Sequence, residues 1–424
     1  MKSSMTMSRR HMLAGSAALA ALSAAGCAVG TPGGGGGGGD GTLRITWWGG
    51  EGENRALTAA LDLYADREDG RETTRETLPW DGYWEKLATT TAARNAPDVV
   101  MQAGSQIPDY SERGALLDLN TLDGLDTTVV DEGLQSFGAV GDELFGVVAA
   151  ANAYGITVNR QLAPDLEIPD SAYSWQDLAD LARSLLPALD NGVRPLVDNS
   201  GDLISFILHI RSMGQELYAD DGSINPLEDE LGEWLTMWEG LRADGVVPTA
   251  EETAESSGGL QNSNLARQRA VMGTAWTQDY VNLAGLADVG WTIDLPPYGA
   301  EHPSLWMNAA SLWSVSSTSP DPAGAGELIN FLLADPEAIS AVGVSLGTPP
   351  SQAARDQLTG LDETQQNAID YMNFVADNSK PLNRLWPKGF ATSRTQIEDL
   401  AEALRFGQTT VDEAVQAFFA DARS

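Results

Sequence analysis

The fold is decided by the stretch TLRITWWGG, residues 42–50, and by the alternation that follows it. Polar and apolar side chains alternate before the Gly-Gly pair, and many of these residues favour β-structure. This pattern predicts a strand that ends in a tight turn. Further along, the pattern predicts a helix over residues 53–66, a strand over 75–78, a helix over 81–93 and a strand over 97–101. Strands that alternate with helices predict a largely parallel sheet with helices on its faces.

The loops after these strands are the first candidates for a binding site. Ligands of open α/β sheets bind outside the carboxyl ends of the strands, so the three loops are expected to meet at one edge. They are residues 47–51, 80–81 and 102–106, and the first two contain tryptophan. The sequence therefore predicts aromatic and polar side chains together at one edge of the first sheet.

The tryptophans divide into two groups. Because side chains alternate along a strand, one of Trp47 and Trp48 faces the core, and Trp48 is predicted to face the binding edge. Trp276 ends a predicted strand and is expected to contact ligand. The remaining tryptophans of regular apolar patterns are expected in the core; they are Trp175, Trp234, Trp238 and Trp313.

The amino terminus has the features of an export signal. Residues 1–10 are basic with no acidic side chain, and the apolar run over residues 12–25 is short for a membrane span. The hexapeptide SRRHML at residues 8–13 resembles a twin-arginine signal, with Met12 where phenylalanine is usual. These features predict a signal peptide over residues 1–26.

Cys27 is the only cysteine in 424 residues. Residues 24–27 resemble a lipobox, in which the cysteine is acylated and becomes the new amino terminus. A lone cysteine in an exported protein cannot form an internal disulfide, so lipidation is its expected role. Seven consecutive glycines follow within residues 27–40, which predicts a flexible tether between the lipid anchor and the folded body.

Composition excludes several classes of function. The chain has 25 basic and 60 acidic residues, a net charge of −35, which would repel nucleic acid and anionic lipid. It lacks a G-x-S-x-G nucleophile elbow, and its only histidines are His11, His209 and His302, so no histidine-based zinc site is expected. No spacing singles out a carboxylate pair for glycoside cleavage, although sequence alone leaves one open. No metal or cofactor is predicted.

The order of segments over residues 41–424 resembles the extracellular solute-binding protein family 1, the maltose-binding type of ABC importer receptor. The sequence departs from the usual family pattern at Val158, where tyrosine is common, and at Gln268-Arg269, where Gly-Lys is common. The resemblance is carried by Trp47-Trp48 and by residues 83–87, 96–100, 110–119, 154–159, 173–178, 269–272 and 407–414.

The resemblance implies an α/β, two-lobe, periplasmic-binding-protein-like type II fold. Each lobe would be a mostly parallel sheet flanked by helices, and hinge strands would cross between the lobes near residues 147–151, 271–273 and 309–311. Closure of the lobes would trap the solute. The predicted lobes are residues 41–149 with 271–308, and residues 150–270 with 309–424.

The resemblance also places cleft positions on the chain, and the residue chemistry agrees with a sugar. A sugar ring has an apolar face and a rim of hydroxyl groups, so its receptor needs aromatic surfaces and planar polar groups. The candidate ligand-binding residues are Trp47, Trp48, Gly50, Glu51, Trp80, Asp81, Ser105, Gln106, Asn152, Tyr154, Trp276, Asp279, Trp306, Asn308, Arg384 and Trp386.

Together these features predict a monomeric, non-enzymatic receptor, lipid-anchored at the outer face of the cell membrane. It would deliver a mono- or oligosaccharide to the transmembrane subunits of an ABC permease. A polyamine or polyol derivative is the alternative solute, favoured if Glu51, Asp81 and Asp279 converge without counter-charge. A secreted carbohydrate-active enzyme is the third hypothesis.

Overall fold

The computed structural model describes most of the chain after residue 40. The predictions for the signal peptide, Cys27 and the tether lie outside the described residues, as does Arg384, and so does the side chain of Asp81. None of the described helices is both long enough and apolar enough to cross a membrane. The described residues are 41–67, 70–256, 259–299, 301–302, 304–382, 386–387 and 389–422.

Eleven strands are present in the described residues. The strands are β1 (Leu43–Trp48), β2 (Thr73–Leu78), β3 (Val99–Gln102), β4 (Ala139–Val140), β5 (Glu143–Leu144), β6 (Val147–Asn152), β7 (Tyr154–Asn159), β8 (Arg194–Leu196), β9 (Ala270–Trp276), β10 (Trp291–Asp294) and β11 (Asn308–Val315).

Fifteen helices connect or flank these strands within the same described ranges. The helices are α1 (Glu51–Ala65), α2 (Trp80–Ala92), α3 (Ile107–Glu112), α4 (Glu132–Gln135), α5 (Trp175–Leu185), α6 (Leu203–Ser212), α7 (Glu228–Ala243), α8 (Ala250–Ala254), α9 (Thr277–Leu286), α10 (Pro322–Ala334), α11 (Pro336–Val342), α12 (Gln352–Arg355), α13 (Glu363–Asn378), α14 (Phe390–Arg405) and α15 (Val411–Ala422).

The strands form two main sheets, each the centre of one lobe. The first sheet has the order β2-β1-β3-β11-β6, and the second has the order β10-β7-β9-β8. In the first, β1 is parallel to β2 and β3, whereas β11 is antiparallel to both β3 and β6. In the second, β8 and β9 are parallel, and β7 is antiparallel to its two neighbours. The α/β class is confirmed, but the sheets are mixed rather than mostly parallel.

The path of the chain between the lobes differs from the predicted boundaries. Residues 271–294 were expected in the first lobe, yet β9 and β10 pair with β7 in the second sheet. Residues 309–342 were expected in the second lobe, yet β11 lies in the first sheet and α10 and α11 pack on α1. The chain crosses at Ala153, between β10 and β11, and between α11 and α13. A strand pattern alone does not tell which sheet the strand joins, because both sheets need the same apolar alternation.

The cores of the lobes contain the tryptophans that were predicted to be buried. Trp175, Trp234 and Trp238 pack edge to face in the second lobe, with ring centroids 4.9–6.3 Å apart. Trp313 lies in the core of the first lobe with the side chains of β1 and α1. All four are nearly inaccessible to solvent, which confirms their predicted structural role.

A buried hydroxyl fixes the end of β3, from which the candidate loop departs. Tyr83 on α2 donates a hydrogen bond of 2.6 Å to the carbonyl oxygen of Met101. Burial raises the pKa of Tyr83 well above its usual value, so the hydroxyl keeps its proton at any physiological pH. This bond fixes the position of helix α2 relative to the last residues of β3.

We expect Tyr83→Phe to lower the free energy of unfolding by about 1 kcal/mol, because one buried hydrogen bond is lost without a change in ring packing. Urea denaturation of the variant and the wild type measures the difference. Tyr298→Phe is the control, because Tyr298 is not in the core. An equal effect of the two substitutions would contradict the role of the Tyr83 bond.

Candidate functional site

Three strands of the first sheet carry an amide side chain towards the same edge of the sheet. Strand β3 ends at Gln102, β6 ends at Asn152 and β11 begins at Asn308. Because β11 lies between the other two and runs antiparallel to both, Asn308 at its amino end pairs with Asn152, whereas Gln102 pairs with Leu312, four residues further along β11. The same edge carries the ends of β1 and β2, which are parallel to β3. The loops that were predicted to meet at one edge therefore do so.

Two of these amides have hydrogen-bonding atoms to spare. Asn308 donates to the side-chain oxygen of Asn152 at 2.8 Å, and both residues are buried. The side-chain oxygen of Asn308 and both amide atoms of Gln102 have no hydrogen-bond partner among the described residues. Buried amides without partners are rare, since each costs free energy that a ligand or water recovers. This edge is thus prepared for a polar guest.

Sequence reasoning placed Gln102 in the loop but did not select it as a contact. Its side chain is completely buried, and it ends the otherwise apolar strand VVMQ. A polar residue that ends a fully buried strand was the available signal. Ser105 and Gln106 follow in a short 3-10 turn over Gly104–Gln106 and are half-buried.

Five aromatic rings form an aromatic wall beside this edge. Trp48 lies at the centre, with ring centroids 5.0 Å from Trp80, 5.3 Å from Tyr83 and 5.4 Å from Trp84. Tyr110 completes the wall, 6.3 Å from Trp84. Trp80 is the outermost member and is 49% exposed, which is unusual for so large an apolar side chain. An indole held this way offers a flat surface to a solute.

The second lobe contributes a ring pair at the end of β9. Trp276 is half-buried, and its ring lies edge to face with Tyr154, 4.8 Å between centroids. The Tyr154 hydroxyl contacts a carboxylate oxygen of Asp202 at 2.5 Å and the hydroxyl of Thr274 at 3.0 Å. Tyr154 is therefore engaged within the lobe, and its ring supports Trp276. Trp276 presents the more accessible surface.

The two edges adjoin because a single residue separates them. Asn152 ends the first-lobe strand β6, and Tyr154 begins the second-lobe strand β7. Ala153 between them is held by Thr277, whose backbone N–H donates to the Ala153 oxygen at 2.9 Å. The amides of the first sheet and the Trp276 pair of the second thus meet along one hinge line.

The lobes also touch further from this line. A Cβ placed on Gly104, in the first-lobe turn, would lie 3.0 Å from the indole of Trp386. Trp386 belongs to the second lobe, where it is buried and packs on Phe390 with 4.2 Å between ring centroids. Trp386 is therefore an interlobe contact in this arrangement rather than an open platform.

Two further predicted contacts, Trp47 and Trp306, are core residues. Trp47 is in the first-lobe core, and its ring nitrogen donates to Asn54 at 2.9 Å, as expected if Trp48 is the one that faces the edge. Trp306 is buried beneath the guanidinium of Arg211, which lies 5.7 Å from its ring.

Glu51 is in the first turn of α1, which Gly50 caps, and pairs with Arg55 at 2.9 Å. Its side chain is 91% exposed, so it points to solvent and is not enclosed by the edge.

Asp279 lies on the first turn of α9, one turn after Trp276. Burial raises the pKa of its carboxyl group to about 6, and a hydrogen bond from the backbone of Trp276 offsets part of the rise. It lies in the second lobe, whereas Glu51 lies in the first lobe and is exposed to solvent. Among the described residues, no group of three or more potential metal ligands is present.

The fold has two lobes joined by three chain crossings, and the polar and aromatic edges of the lobes meet at the hinge line. This arrangement is typical of binding proteins that close on a ligand. The profile of the family "Bacterial extracellular solute-binding protein" matches residues 59–373. The chain belongs to this family of exported, non-enzymatic solute receptors.

Solved structures share the fold. An extracellular solute-binding protein family 1 member from Alicyclobacillus acidocaldarius is 23% identical, with a TM-score of 0.73 over 90% of this chain and 97% of that one. A periplasmic oligogalacturonide-binding protein from Yersinia enterocolitica is 20% identical, with a TM-score of 0.77 over 90% and 98%. The GacH receptor of Streptomyces glaucescens, solved with acarbose, is 15% identical, with a TM-score of 0.73 over 91% and 97%.

We expect the wild type to become less stable as pH rises and the Asp279→Asn variant to lack this pH dependence. Because the folded pKa lies above the unfolded value of 3.8, the folded state binds the proton more tightly, and stability falls between about pH 4 and pH 6. The variant should be close to the wild type below pH 4 and exceed it by about 3 kcal/mol at pH 7. Denaturant unfolding across this pH range measures the difference.

Asp177→Asn serves as the control of opposite sign. Hydrogen bonds from the backbone and side chain of Ser174 lower the pKa of Asp177, so its contribution is present at neutral pH and lost in acid. A pH-independent difference between Asp279→Asn and the wild type would show that the Asp279 carboxyl is not perturbed.

Proposed function

We propose that this protein is a lipid-anchored receptor that captures a neutral carbohydrate between its lobes and delivers it to an ABC permease. The observation that carries the proposal is the set of buried amides at the first-lobe edge, two of which have atoms without partners. Planar amides donate and accept at once, which suits adjacent hydroxyl groups of a sugar ring. The protein acts as a monomer, with residues 1–26 removed on export.

The aromatic groups support the same class of solute. Trp80 in the aromatic wall and Trp276 across the hinge line are the most accessible indoles at the two edges. Flat aromatic surfaces pack on the apolar face of a sugar ring while the amides bind its rim. The oligogalacturonide and acarbose receptors that share the fold also take saccharides.

The charges favour a neutral solute over a polyamine. A cation site needs carboxylates that converge without counter-charge, but Glu51 is paired with Arg55 and points to solvent. Asp202, which is close to the Trp276 pair, already accepts from Tyr154 and Ser205. Glu51 and Asp202 are thus already engaged by partners within the protein.

Isothermal titration of the protein against a panel of neutral mono- and oligosaccharides, with an acidic sugar and spermidine included, tests the solute class. We expect a neutral sugar to bind, and Trp276→Ala to weaken it about tenfold, equivalent to about 1.4 kcal/mol of lost contact. Phe406→Ala is the control, since Phe406 is an exposed aromatic at the end of α14. Binding of spermidine and of no sugar would contradict the carbohydrate proposal and identify a polyamine as the solute.

The lipid anchor has a separate test. We expect Cys27→Ser to move the protein from the membrane fraction to the soluble exported fraction, because the thiol is the only acylation site of its kind in the chain. Metabolic labelling with a radioactive fatty acid should mark the wild type and not the variant. Unchanged membrane association and labelling of Cys27→Ser would show that Cys27 is not the anchor.

A further inference from the structure

One arginine in the third crossing between the lobes is completely buried. Arg355 ends α12, and its side chain is 0% exposed. Its guanidinium donates to Asp131 at 2.7 Å, to the Pro349 carbonyl oxygen at 3.0 Å and to the side-chain oxygen of Asn373 at 2.7 Å. A buried cation needs such a set of partners, because loss of one leaves a donor without hydration.

These partners belong to different lobes. Asp131 directly precedes α4, which packs against β6 of the first sheet. Asn373 is on α13, which packs against α9 and β10 of the second lobe. The crossing itself is attached to the first lobe, since the Gln352 N–H donates to Asp131 at 3.0 Å and the Asp131 N–H donates to the Pro350 oxygen at 2.9 Å. The hydrogen bond to Asn373 therefore connects this crossing to the second lobe.

An open pocket lies beside the bond between Arg355 and Asn373. A cavity of about 590 Å³ lies between the two sides, with Asp131, Gly133 and Arg355 on one side and Ala376 and Pro381 on the other. Apolar packing does not fill this space. The hydrogen bond from Arg355 to Asn373 therefore connects the two lobes at the border of this pocket.

We propose that Arg355 is a positioning residue that sets the angle between the lobes through its bond to Asn373. The bond is formed in the arrangement where Trp386 touches Gly104, which is the arrangement that brings the binding edges together. Opening the lobes would draw Asn373 away and let water hydrate the released guanidinium. The effect of Arg355 on solute affinity rests on the proposed function. Its effect on the angle between the lobes does not.

Asn373 offers a cleaner test than Arg355, because its substitution leaves the buried cation and its first-lobe partners in place. Asn373→Ala removes the acceptor, and we expect the lobe equilibrium to shift about tenfold toward the open form, as for a hydrogen bond to a charged group. Asn373→Asp keeps an acceptor and should restore the closed form. Asn367→Ala is the matched control, because Asn367 is on the same helix and contacts Tyr280 within the second lobe.

Spin labels at Ala88→Cys on α2 and Glu402→Cys on α14, in a chain that carries Cys27→Ser, report the interlobe distance without any solute. Pulsed dipolar spectroscopy should show a longer and broader distribution for Asn373→Ala and the unaltered one for Asn367→Ala and Asn373→Asp. An Asn373→Ala distribution identical to that of Asn367→Ala would overturn the proposal. A shifted distribution in a protein that binds no carbohydrate would keep this inference and reject the solute class.

Discussion

The antiparallel placement of β11 between β3 and β6 is the constraint on which the site depends. The strand brings Asn308 beside Asn152, and Leu312 of the same strand lies opposite Gln102. Had β11 run parallel to its neighbours, its first residue would lie at the opposite edge of the sheet. The pairing of β11 with β6 shifts register on either side of Ser311, which bends the strand where it approaches the hinge. One strand therefore both returns the chain to the first lobe and completes the amide edge.

The strong negative charge of the chain explains how its few cations are used. Arg211, Arg242 and Arg355 are largely buried, and each pairs with a carboxylate. Arg211 also donates to the Ser304 and Lys380 carbonyl oxygens, which holds the second crossing against the segment before α14. A guanidinium satisfies several acceptors in one plane, which lysine does not, and lysine is almost absent from the sequence. Arg211 and Arg355 thus hold the second and third crossings.

Local patterns predicted the first part of the fold well, because they depend on neighbouring residues. The predicted elements over residues 42–101 match β1, α1, β2, α2 and β3 to within a few residues. Lobe membership failed for β9 and β11, since it is decided by pairing with strands far away in sequence. The sequence also did not reveal Gln102 as a candidate contact, because whether a buried amide has a hydrogen-bond partner is a property of the packed structure. Trp306 shows the same limit, as only its environment makes it a core residue.

The geometry of the first edge also bears on the size of the solute. In the strand order β2-β1-β3-β11-β6, four strand spacings separate the end of β6 from the end of β2, or about 19 Å. Asn152 lies at the hinge end of this line, and Trp80 lies at the far end. Rotation about the hinge moves groups near Asn152 little and moves the aromatic wall much more. A single ring held by the amides would therefore tolerate a change of angle, whereas an extended solute that also reaches Trp80 would bind only at the angle that the crossings maintain.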